Sequence, residues 1–419
     1  MSEAGMTEGE IIYDWNLIGF AGPLTGNRVQ LLDETLRDGI QSPSVVDPSI
    51  EDKVQILRLM DNLGIDTADV GLPGAGKRAV EDVTALVEAI RDEGLSIKPS
   101  CAARTLRNDI EPVIEISKET GVEIELLTFL GSSPIRALAE AWDLSRLERL
   151  TREAVNLGVK AGLPVSFVTE DTIRSSPETL ERLFKSAIDH GAGRLILCDT
   201  VGHATPDGIK ALVGWTRELV QSMGVEIGLD WHGHNDRGLA LVNSVIAIES
   251  GCNRVHGTAL GIGERVGNAA MDMLLVNLKL LGAIDNDLSA LMAYCRTTSE
   301  ATRTPIERNY PVVGEDAFRT ATGVHAAAII KAQKKGNDWL ADRIYSGVPA
   351  QMVGKHQVID IGHMSGESNV VAWLTSHGYE PEPALVAAVF RAAKGSNRTL
   401  HDDEVMAIVR RFTSAPGQA

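Results

Sequence analysis

Two histidines separated by a single residue, His232-Gly-His234, are the part of this sequence best suited to chemistry. On an extended segment, residues i and i+2 project to the same side, so both imidazoles can grip one ion. Asp38 would add a hard carboxylate, and two nitrogens plus one oxygen leave positions open for a bidentate substrate, as catalytic metal sites do. By itself an H-x-H pair is a weak signal that more often marks structural histidines, so its placement in the fold has to decide. Arg37, directly beside Asp38, has few structural reasons to stand next to a metal-ligating carboxylate. The adjacent charges Glu264 and Arg265 can form a solvated loop pair, the usual fate of such neighbours. Beside a metal they are candidates for proton transfer and anion binding.

The elements that must position these residues can be read from short apolar runs with helical stretches between them. Strands are expected at residues 29–33, 67–71, 97–101, 124–129, 165–168, 195–198, 227–231 and 255–260, and amphipathic segments such as residues 50–63 and 144–161 carry apolar residues at helical spacing. Eight βα units in roughly 260 residues predict an α/β fold of the (βα)8 TIM-barrel type. The rival is a doubly wound open sheet, which has fewer strands and a glycine-rich turn after the first; here the first strand runs into T-L-R-D-G. In a barrel, chemistry sits at the C-terminal strand ends. The polar clusters fall there: Arg37-Asp38 after the first strand, Glu170-Asp171 after the fifth, Asp199-Thr200 at the sixth and His232 to Asp236 at the seventh. The eighth runs into G-I-G-E-R-V-G-N, whose glycine spacing and position do not suit dinucleotide binding. The expected organisation is an N-terminal arm (1–28), a catalytic barrel (29–285) and a mostly helical C-terminal subdomain (286–419).

Composition narrows the function classes. A formal charge of −17 argues against nucleic-acid or anionic-membrane binding, which needs clustered Lys and Arg. No basic segment precedes an apolar run at the N-terminus, and no stretch approaches the ~20 apolar residues that span a bilayer. The expected location is the cytoplasm. Four cysteines lie far apart without C-x-x-C spacing, so buried free thiols are expected.

The motifs L-L-D-E-T-L-R-D-G-I-Q-S-P, W-H-G-H-N-D-R-G-L-A and G-I-G-E-R-V-G-N resemble those of the 2-isopropylmalate, homocitrate and citramalate synthase family, with the likeness extending over residues 29–366. The resemblance implies condensation of acetyl-CoA with a 2-oxo acid, then thioester hydrolysis. It implies Asp38, His232 and His234 as ligands of a divalent metal (Mg, Mn or Zn), with Asn268 completing or supporting the shell. Arg37 would stabilise charge on the ketone oxygen, Thr200 would hold the substrate carboxylate, and Glu170 would line the pocket. Glu264, His325 and Tyr345 match the family's proton-transfer candidates. Without the resemblance, His325 on its expected helix is equally a capping or core histidine, and Tyr345 a core residue. The resemblance also implies a homodimer whose C-terminal segment serves the neighbouring barrel.

Departures from the family pattern bear on substrate. Leu127 stands where isopropylmalate synthases commonly have His, and Arg136 where they have another His. Arg136 could pair with the second carboxylate of 2-oxoglutarate, as in homocitrate synthases, or be a surface helix residue. Ile40 replaces a more usual Glu or Asn, and Asp69 a customary Glu. The sequence ends without the family's leucine-binding regulatory domain, so no leucine feedback is expected. Two rivals remain: a hydroxymethylglutaryl-CoA lyase-like enzyme, against which the T-G-V-H, Y-S-G-V-P-A and M-S-G-E-S-N segments speak, and a catalytically dead barrel serving as a binding subunit.

Overall fold

The computed structural model describes residues 11–17 and 29–414. Most of the expected N-terminal arm lies outside the described residues. Eight parallel strands close into a barrel in chain order: β1 (Gln30–Asp33), β2 (Thr67–Asp69), β3 (Lys98–Arg104), β4 (Glu125–Gly131), β5 (Val165–Glu170), β6 (Arg194–Asp199), β7 (Gly228–Gly233) and β8 (Arg254–Gly257). Closure sets Leu31 beside Val255 and Asp33 beside Gly257. The fold is a TIM barrel, as expected from the alternation of strands and helices. Several strands run past their apolar cores, because Glu170, Asp199 and His232 still pair in the ladder. Hydropathy alone does not mark such polar strand ends.

Ten helices accompany the strands among the described residues of this unit: α1 (Ile50–Asn62), α2 (Lys77–Glu93), α3 (Arg107–Thr120), α4 (Pro134–Glu140), α5 (Leu144–Lys160), α6 (Pro177–Asp189), α7 (Pro206–Ser222), α8 (Ala240–Ser250), α9 (Met271–Leu280) and α10 (Leu291–Thr302). Their starts are written locally. Ser176 and Thr205 each accept a backbone N–H of the first turn and are followed by proline at the first helical position, where its missing N–H costs nothing. Asp143 caps α5 in the same way. α4 differs, since none of its residues is buried.

The barrel interior is layered. At the N-terminal end, Arg254 forks onto Glu125 (2.7 and 2.6 Å) and donates from Nε to Asp230 (2.6 Å), while Arg194 donates to Asp230 (2.7 Å) and Asn253 (2.6 Å). Above this charged floor lie Leu32, Leu127, Ile196 and Cys198, with Val168 against them. Polar residues at the C-terminal strand ends form the mouth. α10 belongs to the barrel unit: it buries Leu291 and Cys295, and the hydroxyl of its Tyr294 donates to Asp33. All four cysteines are buried free thiols, as expected.

The chain divides into two compact units, the barrel unit running to Ile306 and the second from Glu307 onward together with residues 11–17. The second unit contains α11 (Gly323–Lys334), α12 (Asp338–Arg343) and a two-stranded parallel sheet of β9 (Arg319–Thr320) and β10 (Val358–Ile359). It ends in α13 (Glu367–Ser376), α14 (Pro383–Lys394) and α15 (Asp402–Ser414) around a core that includes Val370, Trp373, Leu374, Val389 and Val405. The helical C-terminal region is therefore present. No helix among the described residues is long and apolar enough to cross a membrane.

The charged floor gives a stability test. Removing Arg254 would leave Glu125 without its cationic partner and Asp230 with Arg194 and His256 alone, so Arg254→Met is expected to cost about 3–5 kcal/mol in urea unfolding. Burial works to raise the pKa of Glu125, but hydrogen bonds and charge from Arg254 outweigh it and hold it below the usual carboxylate value. A depressed folded pKa contributes stability above the unfolded pKa of ~4 that is lost as pH falls further. The wild-type protein is therefore expected to lose stability in that acid window, and the variant to show less of that loss.

Candidate active site

The mouth of the barrel holds a cavity of about 350 Å3, and every residue lining it comes from the barrel unit. Strand parity puts chemistry on its wall: in β7, Asp230 and His232 alternate inward, and His234 follows just beyond the strand. The glycine-rich loop after β8 is laced to that strand end, with Asn235 N–H donating to Gly267 O (2.9 Å) and Ala269 N–H to Gly233 O (3.1 Å). Gly267 cannot be replaced in this geometry. Its φ is +87°, and a Cβ would lie 1.7 Å from the Gly261 carbonyl oxygen. This folding sets the Asn268 side chain over Asp38, to whose Oδ2 it donates at 2.6 Å.

Arg37 is the hub of the polar side. Its guanidinium donates to Asp69 (2.7 Å), Asp38 (3.0 Å) and Glu34 (2.6 Å), which engages three of its five N–H groups. The far oxygen of Glu34 lies 2.6 Å from His232 Nδ1. A carboxylate here only accepts, so Nδ1 carries a proton, and Nε2 is the nitrogen left for other partners. His256 Nδ1 lies 3.3 Å from Glu34 at an angle too poor for a hydrogen bond, while its Nε2 is 3.1 Å from Asp230. Through His256 the mouth is thus joined to the charged floor.

The donor set fits a divalent cation. One ligand atom from each of Asp38, His232 and His234 lies within 4.8 Å of the others, and all three residues are buried. Burial, with the neighbouring His232, pushes the pKa of His234 down to about 4, so its imidazole is neutral near pH 7, the form that binds metal. His234 Nδ1 and Asn268 Oδ1 are buried without a hydrogen-bond partner. Such orphaned polar atoms are costly unless something binds them. Burial works to raise the pKa of Asp38, yet the positive charge of Arg37 holds it below its usual value, so Asp38 is an ionised donor. Burial instead pushes Asp69 up to about 6.

The expected site residues divide in three ways. Arg37, Asp38, Glu170, Thr200, His232, His234 and Glu264 line the cavity, and Asn268 stands behind Asp38. Arg136, expected as a possible carboxylate clamp, is absent from the lining. It is half exposed, lies 5.9 Å from the Trp142 ring centroid, and pairs with Glu140 at 3.4 Å. Its stem lies over Gly131 at the end of β4, and its charge acts on Glu170. His325 and Tyr345 belong to the second unit, where their rings stack at 4.0 Å. Sequence reasoning assigned no role to Glu34 or His256. The available signal was charge at inward parity: Arg254 and His256 alternate as Asp230 and His232 do, on strands that otherwise are apolar.

Comparison with known proteins places the chain in context. The HMGL-like family matches residues 28–298. A homocitrate synthase of Methanopyrus kandleri is 34% identical over 400 residues, covering 93% of this chain and 94% of the relative. A 2-isopropylmalate synthase of Methylacidiphilum infernorum is 30% identical over 397 residues, covering 92% and 76%. The solved HMG-CoA lyase of Bacillus subtilis superposes with a TM-score of 0.55 at 21% identity, covering 68% of this chain and 97% of the lyase, which shows the shared fold.

Glu34 provides a direct test of the donor set. Mn2+ titrated into the protein, followed by loss of the free-ion EPR signal, is expected to bind. Glu34→Gln would weaken orientation of His232 and is expected to reduce that affinity roughly 10–100-fold. Equal affinity in the variant would show that His232 is held by other contacts.

Proposed function

The chain belongs to the HMGL-like family, and on that premise we propose that it condenses acetyl-CoA with a 2-oxo acid in the manner of a 2-isopropylmalate synthase, then hydrolyses the thioester. The observation that carries this reading is the mouth itself, where a carboxylate and two buried imidazoles converge beside Arg37. The synthases resemble the chain over 92–93% of its length, whereas the lyase covers 68%, which favours condensation over cleavage. Homocitrate synthesis is the second reading, favoured by the 34% identity to a homocitrate synthase. Citramalate synthesis remains a third, by the same chemistry on pyruvate.

Asp38, His232 and His234 would hold the divalent ion, with Asn268 supporting Asp38. When bound there, Mg, Mn or Zn would polarise the ketone of the 2-oxo acid as a Lewis acid. Arg37 keeps two N–H groups beyond its three carboxylate bonds, and these would donate to the ketone oxygen as charge grows on it. The hydroxyl of Thr200 accepts from the Asp171 N–H (2.8 Å), which leaves its proton to donate to the substrate carboxylate. Glu170 borders the space for the acceptor.

The acetyl methyl group is a weak carbon acid and needs a positioned base. Glu264, on the loop after β8, is the candidate within the cavity wall. His325 and Tyr345, stacked in the second unit, are the further proton-transfer candidates, and a homodimer would let them serve the neighbouring barrel. The methyl carbon then attacks the ketone carbon, and water releases CoA as the free thiol.

Thiol release from acetyl-CoA in the presence of Mg or Mn and a 2-oxo acid tests the reaction. His232→Ala is expected to abolish release while far-UV circular dichroism stays unchanged. Arg37→Ala is expected to lower kcat by about 10^2–10^3-fold, the range for loss of a charge-stabilising donor. Full turnover in His232→Ala would remove the site assignment.

A further inference from the structure

The cavity wall is chemically two-sided. The side made by β7, β8, β1 and β2 carries His232, His234, His256, Glu34 and the Arg37–Asp38 pair. The opposite side is a continuous apolar surface on β3 to β6. Ala102 pairs across the sheet with Leu127, Phe129 with Val168, and Val168 with Ile196, and all five residues line the cavity. The register sets these apolar residues on neighbouring strands of the wall.

Charge accounting sharpens the contrast. The lining contains two arginines. Arg37 is shared among three carboxylates, and Arg265 forks onto Asp236 at 2.8 and 2.9 Å and also donates to Thr200 O at 2.7 Å. Arg265 is therefore held by the segments that follow β6 and β7, at Thr200 and Asp236. Two further cations stand near this side without lining the cavity: Arg136, half exposed, pairs with Glu140, and Arg104, across from Phe129, pairs with Asp109. The charged group that does border the apolar wall is Glu170, at the end of β5, and its charge would repel a second anion. Burial moves its pKa upward, outweighing the opposing charges of Arg136 and Arg37.

We propose that the acceptor is a 2-oxo monocarboxylate with a bulky apolar side chain, seated against Ala102, Leu127, Phe129, Val168 and Ile196, and that dicarboxylic 2-oxo acids are excluded. This rests on the reading that the cavity takes a 2-oxo acid, and it separates the chain from the homocitrate synthases it resembles. Burying a second carboxylate against this wall would leave it unpaired, which is strongly unfavourable, while each apolar carbon of a branched side chain gains by leaving water. Ala102 is the smallest of the five wall residues, so enlarging it takes space from the cavity.

Calorimetric titration of the full-length protein with Mn2+, in the absence of acetyl-CoA, tests the inference apart from catalysis. 4-Methyl-2-oxopentanoate is expected to bind more than about tenfold tighter than 2-oxoglutarate, given the scale of discrimination in apolar pockets. Ala102→Leu is expected to weaken 4-methyl-2-oxopentanoate by a similar factor and pyruvate by much less. Equal or tighter binding of 2-oxoglutarate, or no binding of any 2-oxo acid, overturns the inference. Tight binding of the branched acid without thiol release on adding acetyl-CoA would uphold the acceptor class and sink the condensation reading instead.

Discussion

The mouth of this barrel depends on one buried carboxylate. Glu34 takes Arg37 at one oxygen and His232 at the other, both at 2.6 Å, with His256 at 3.3 Å behind. Burial alone would drive Glu34 toward its neutral form, but the positive charge gathered around it holds its pKa well below the usual value. Two consequences follow from one ionised group. Arg37 is pinned so that its remaining N–H groups face a fixed region, and His232 is fixed in a single tautomer with Nε2 available. Neither outcome is written into Arg37 or His232 themselves. An arginine or histidine left with water would sample several rotamers, and preorganisation of this kind is what makes charge stabilisation effective in a site.

The closed parallel sheet makes such an arrangement affordable in a buried place. Because inward side chains alternate, one strand contributes to successive layers: β7 gives Asp230 to the charged floor and His232 to the mouth, and β8 gives Arg254 and His256 likewise. His256 spans the two layers by reaching Asp230 with one nitrogen and lying near Glu34 with the other. The apolar belt of Leu32, Leu127, Ile196 and Cys198 keeps water out between them. Charges on either side of that belt feel a low dielectric, so each must be paired, and the pairing fixes the register of the strands as well as the site.

Much of this was legible in the sequence. The strand and helix alternation predicted the barrel, and the clusters at strand ends predicted which residues meet: Arg37, Asp38, Glu170, Thr200, His232, His234 and Glu264 do share one cavity. What was not legible depends on distances between strands far apart in the chain. Glu34 sits within a motif that was noticed, but its function comes from partners 198 and 222 residues away, which no local pattern reveals. Arg136 was open between two readings, a carboxylate clamp and a surface helix residue. Its residue type suited a carboxylate clamp, and only the orientation of a short helix without buried residues shows it turned toward Glu140 and Trp142. Five strands, β3 to β7, run longer than expected, and in β5 to β7 this is because polar residues at the barrel mouth continue the ladder while breaking the apolar run; β1, β2 and β8 are shorter.

An acidic protein that binds an anionic substrate faces an electrostatic problem that this mouth poses clearly. Glu34, Asp38, Glu170 and Glu264 line the cavity against Arg37 and Arg265, and both arginines are already engaged by carboxylates. A 2-oxo acid entering that space alone would meet net repulsion, on a chain whose formal charge is −17. A dication held by Asp38, His232 and His234 would reverse the local sign, so cation and substrate anion should favour one another's binding, by equal factors in each direction. The apolar wall then supplies affinity that needs no charge at all. In this arrangement the charged half of the cavity fixes where the reacting carbon lies, and the uncharged half decides which molecule brings it there.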